Sequence, residues 1–70
     1  MPTFKELDVV AALRDLPEVG VRRGWVGTVL MELAPGVWEV EFSDTQGRTV
    51  TTAAVGVADL LALNMDPALG

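Results

Sequence analysis

Seventy residues carry ten acidic against five basic side chains, a net charge of −5, with neither cysteine nor histidine. That composition excludes disulfides, thiolate metal centres and imidazole-assisted catalysis. The acidic balance disfavours a stand-alone binder of nucleic acid or of an anionic membrane surface, because neutralising phosphate dominates such affinity.

A chain this short forms one domain and buries only about 60% of its extended surface, so nearly every apolar residue has to be placed. Pairing of two chains is a natural source of extra stability at this size. No stretch approaches the roughly 18 apolar residues of a membrane-spanning helix. Residues 1–6 hold no apolar signal core, so the expected location is the cytoplasm.

Phe4 reads as an aromatic lid over one end of the fold. In residues 7–13 the odd positions Leu7, Val9, Ala11 and Leu13 are apolar, which predicts a strand with that set inward. A helix over residues 4–16 is the competing reading, and the pair Val9-Val10 argues against it. Residues 14–24 form an irregular excursion. Pro17 removes a donor, Gly20 and Gly24 permit turns, and Leu16, Val19 and Val21 are expected to fold back and pack. Arg14, Arg22 and Arg23 lie in this excursion beside Asp15 and Glu18. Local pairing explains them, and an acidic partner is the alternative.

The firmest feature is a long β-hairpin over residues 24–42. Ala34-Pro35-Gly36 supplies a preset φ followed by a residue that tolerates φ > 0. Gly27 in the first strand signals a bend, a bulge or a close backbone crossing. On the pattern Val29-Met31-Leu33 the odd residues face inward and Thr28, Leu30 and Glu32 outward. In the second strand Trp38, Val40 and Phe42 share one face, and Val37, Glu39 and Glu41 the other. A one-residue slip would bury both glutamates, so the register is strongly specified. Residues 43–48 are a second turn with Gly47 in the left-handed position. Residues 49–55 form a threonine-rich third member of the sheet, for which Val50, Thr52 and Ala54 are the expected inner set. Residues 56–63 predict one helical turn and a closing strand, with Leu60, Leu61 and Leu63 completing the core. Residues 54–63 also suit a small helix. Residues 64–70 read as a loose tail.

These elements predict an all-β fold over residues 4–63, a small five-stranded SH3-like barrel with one short helical turn before the last strand. Closure of such a sheet removes its edges.

Leu7-Asp8-Val9-Val10, Asp15-Leu16-Pro17-Glu18-x-Gly20-Val21-x-x-Gly24-x-x-Gly27-Thr28-Val29, and Val37-x-Glu39-Val40-Glu41-Phe42 followed by Gly47-x-Thr49 resemble the DUF4926 family of small bacterial proteins. The resemblance covers roughly residues 4–63. It implies a bacterial or cyanobacterial origin and a small β fold, and no activity. The element Gly24-Trp25-Val26-Gly27-Thr28-Val29 is also similar to the one leading into the long hairpin of SH3-like barrels in KOW domains and the nitrile hydratase β subunit. The first likeness implies contacts with RNA or protein, the second a partner role beside a catalytic subunit. Fold-level likeness is a weak warrant for function.

Little in the chain points to catalysis. Ser43 is the single serine, and it has no base near it in sequence. Glu32, Glu39 and Glu41 on one side of neighbouring strands suit a hard cation or acid–base work. Their ordinary role is a solvated strand face. A nucleic-acid-binding barrel would use Arg14, Arg22, Arg23 and Arg48. The expected function is a non-enzymatic protein-interaction module or accessory subunit that self-associates. It is expected to bind no cofactor, metal or identifiable small molecule. Its expected interface comprises Arg14, Arg22, Arg23, Trp25, Val26, Leu30, Val37, Glu39 and Glu41, since aromatics and arginines are enriched at interface centres.

Overall fold

A computed structural model describes residues 4–44 and 46–63. The strands are β1 (Val9–Ala12), β2 (Val26–Ala34), β3 (Val37–Ser43), β4 (Thr49–Gly56) and β5 (Leu60–Ala62). All pairings are antiparallel, in the spatial order β4-β3-β2-β1-β5. Short 3-10 turns at Pro17–Val19 and Val57–Asp59 precede β2 and β5. Strand content, hairpin and helical turn are as the sequence predicts. The loose tail expected over residues 64–70 lies outside the described residues.

The closed SH3-like barrel is corrected. Among the described residues the sheet is open: β4 and β5 are its two edges, and no ladder joins them. β5 spans three residues, all in register with β1, and follows β4 after a single 3-10 turn. What covers the open sheet is the excursion between β1 and β2. Leu16 bridges to Val21, and both are buried with Phe4, Val10, Ala12, Val29, Trp38, Val40, Phe42, Ala53, Val55 and Leu60 in one core. Val19 and Trp25 pack against it half-buried, as expected of a loop that folds back. Phe4 lies edge-on to Trp38, with ring centroids 5.9 Å apart.

β3 alternates as predicted, with Trp38, Val40 and Phe42 buried. Two other face assignments are reversed and a third holds only in part. In β1 the even residues Val10 and Ala12 are buried, while Val9, Leu7 and Leu13 are exposed. In β4 the odd residues Ala53 and Val55 are buried, while Val50, Thr52 and Ala54 are exposed. Register gives the reason. Residues opposite each other on antiparallel strands share a face, and Val10 opposes Gly27, Ala53 opposes Val40, and Val55 opposes Trp38. In β2 only Val29 of the expected Val29-Met31-Leu33 set is buried. The register shifts at Leu30 and again at Leu33, so Met31 comes opposite Glu39 and both Met31 and Leu33 are exposed. Leu60 alone of the last three leucines joins the core; Leu61 is exposed and Leu63 half-buried.

At Gly27 the first strand of the hairpin lies tight against β3. A Cβ there would stand 2.6 Å from Val40 Cγ1 and 2.9 Å from the Glu41 carbonyl oxygen. No side chain fits, which is the close backbone approach its place in a strand suggests.

Candidate protein-interaction face

The register builds the outer face of the sheet row by row. Leu61 of β5, Ala11 of β1 and Val26 of β2 stand side by side. Next to them Val9 opposes Thr28, and Thr28 opposes Glu41. Farther along, Met31 opposes Glu39, and Ala34 opposes Val37. The apolar members remain open to solvent: Met31 at 53%, Leu61 at 50%, Val26 at 44% and Val9 at 38%. The face thus grades from apolar on β5, β1 and the start of β2 to acidic on β3, and large exposed apolar groups gathered on one surface mark interaction sites.

The residues expected at the interface divide into three groups. Val26, Val37, Glu39 and Glu41 lie on this outer face, Val26 exposed and the other three half-buried. Leu30 is half-buried at the register shift of β2, so it belongs to neither regular row. Trp25 is half-buried just before β2, in a cleft of about 300 Å³ with Gly24, Val26, Ser43 and Asp44. Arg14, Arg22 and Arg23 line a separate depression with Leu13 and Asp15.

The arginines pair less locally than expected. The Arg14 guanidinium donates from Nε and Nη2 to the two carboxylate oxygens of Asp59, at 3.0 and 3.1 Å. This hydrogen bond, with the carboxylate charge beside it, raises the Arg14 pKa above its ordinary value. Leu13 N–H also donates to the Asp59 carbonyl at 2.8 Å, so the excursion is tied to the turn before β5. Asp15 accepts the Arg23 backbone N–H at 2.8 Å rather than a guanidinium. Among the described residues the side chains of Arg22 and Arg23 make no ion pair.

The three glutamates do not share a side as expected. Glu32 is in register with core-facing Trp38, and its carboxylate accepts the Gly36 N–H at 3.4 Å beside the hairpin turn. Glu39 and Glu41 stay on the outer face, two residues apart. Among the described residues, no three potential ligands gather where they could hold a metal ion. Asp44 organises the β3–β4 turn: its Oδ1 accepts the N–H groups of Gln46 at 2.8 Å and Arg48 at 3.0 Å, and its Oδ2 pairs with the Arg48 guanidinium. The backbone donors of Arg48 and Gln46 hold its carboxyl below the usual range. Gly47 has φ = 80°, as its place in the turn requires.

Sequence reasoning missed Val9, Met31 and Leu61 as members of the exposed face, and Asp59 as the partner of Arg14. A signal for two of these was present. Adjacent strand residues point to opposite faces, so in Val9-Val10 and Leu60-Leu61 one residue of each pair has to face outward.

Among the described residues no helix is long and apolar enough to cross a membrane. A family model described as a domain of unknown function, DUF4926, matches residues 6–62. No curated protein and no solved structure matches the chain significantly.

Proposed function

Because this chain belongs to the DUF4926 family, whose description assigns no activity, we propose a function from the sheet itself: a non-catalytic module that binds protein through its outer face. One observation carries this reading. Val9, Val26, Met31 and Leu61 are held out to solvent by strand registers that leave them no alternative. Exposing them costs stability that a small domain can ill spare. The glutamates of β3 beside them call for a partner surface with an apolar centre and basic groups along one side, since complementary charge guides docking and orientation.

The test is a paired one. Partners captured by the wild-type protein are identified and then challenged with Val26→Lys/Leu61→Lys, and with Glu39→Lys/Glu41→Lys. All four positions lie outside the core, so both variants keep the fold as judged by circular dichroism. The reading requires a partner that either variant releases; partners that bind both variants as well as wild type would refute it.

A further inference from the structure

We infer that β4 is a self-pairing edge through which two copies of this chain join antiparallel into one continuous sheet. The inference goes beyond the outer-face reading: its surface is the sheet edge and its partner a second copy of the chain. Among the described residues β4 is an outermost strand, eight residues long, paired on one side only. Natural proteins guard such edges with lysines, prolines, bulges or extreme shortness. The opposite edge, β5, is short. β4 has none of these guards over most of its length. Thr49–Gly56 contains no charged residue and no proline, and its one register shift, at Val50, lies near its start. From Thr51 to Gly56 the ladder with β3 runs without interruption.

Charge favours a second copy as the occupant. Each chain has a net charge of −5 and would repel its twin over most approaches. Glu39 and Glu41 lie one strand in from the edge, opposite Ala54 and Thr52. Across a β4–β4 junction the glutamate-bearing strands would be three strand spacings apart, about 14 Å. That exceeds the Debye length of about 8 Å at physiological salt. The uncharged edge therefore keeps the carboxylates of two copies beyond effective range of each other.

Geometry favours it as well. Antiparallel pairing of a strand with itself is two-fold symmetric and closes after two chains. An axis at Ala53 sets Thr52 against Ala54 of the second copy and Thr51 against its Val55. Each pair joins residues of the same face, so both cores lie on one side of the doubled sheet.

Sedimentation equilibrium on the full chain, followed up to about 1 mM where even weak association is populated, tests this with Thr52→Lys/Ala54→Lys. The two positions are exposed and stand opposite Glu41 and Glu39 on β3, so the lysines gain cross-strand carboxylates within the chain and leave the fold intact. Wild type is expected to approach twice the 7.5 kDa chain mass. The variant is expected to associate about tenfold more weakly or worse, because like charges directly opposite each other disrupt an edge pair. Amide exchange in β4, but not in β5, should slow as wild-type concentration rises. A wild-type chain that stays monomeric throughout overturns the inference, even if a foreign strand binds the edge. So does a dimer that Val26→Lys/Leu61→Lys dissociates and the β4 variant does not. Either result leaves binding at the outer face to be judged by its own test.

Discussion

Asp44 does with one carboxylate what a longer turn would need several groups to do. It takes two backbone N–H groups on one oxygen and a guanidinium on the other. Those donors favour the ionised form, so its carboxyl stays ionised to lower pH in the folded chain than in the unfolded one. The sign of the linkage follows. Its stabilisation is fully present above the unfolded carboxylate value, about 4, and disappears as the pH falls through the lower folded value. Urea midpoints of wild type and Asp44→Asn should therefore differ at pH 7, wild type higher, and draw together as the pH falls well below 4. A gap that persists at low pH would mean that the asparagine disturbs the turn sterically. Trp25 lines the same cleft as Asp44, so its fluorescence gives a local readout.

Strands were legible from this sequence where one face is plainly polar, and their facing was illegible where neither is. β3 alternates tryptophan, valine and phenylalanine with glutamate, and its facing follows at once. β1 and β4 carry small or branched apolar residues on both sides, so their facing is decided by the partner strand and not by their own pattern. β2 changes facing at Leu30 through a register shift that no local composition announces. The same limit scattered the candidate site. Val26, Val37, Glu39 and Glu41 stayed together because one hairpin holds them, whereas Arg14 found its carboxylate 45 residues away. The hairpin turn itself was readable, and it makes a sharp prediction. Gly36 has φ = 76°, and its carbonyl accepts the Val57 N–H at 2.8 Å, coupling the hairpin to the turn before β5. A left-handed backbone costs a non-glycine residue about 1–2 kcal/mol. Gly36→Ala should lose roughly that much in urea unfolding. Gly56→Ala, where φ is −69° and an added Cβ meets nothing within 4 Å, should change stability little. An equal loss at Gly56 would refute the left-handed turn as the cause, because alanine at a compatible φ restricts the unfolded chain and if anything stabilises.

At the scale of the whole molecule the open sheet changes where stability resides. A closed barrel would hide its core behind a continuous ladder and leave the excursion between β1 and β2 as decoration. Here β4 and β5 do not meet, and the excursion covers the core in their place, with Leu16 and Val21 as buried as the strand residues beneath them. A loop residue should then carry the energetic weight of a core residue. Truncating a buried leucine costs about 2–5 kcal/mol, against a total of roughly 4–10 kcal/mol for a domain of this length. Leu16→Ala should therefore lower the urea midpoint drastically or prevent folding at room temperature. Leu61→Ala, on a regular strand but facing solvent, should stay within about 0.5 kcal/mol of wild type. Both measurements belong at low protein concentration, where association adds nothing to the stability of either variant. A small loss at Leu16 together with a large one at Leu61 would mean that the sheet is closed over its outer face instead, and that the excursion is dispensable. The expected order, a loop leucine outweighing a strand leucine, follows only from a sheet whose edges are apart and whose cover is the loop.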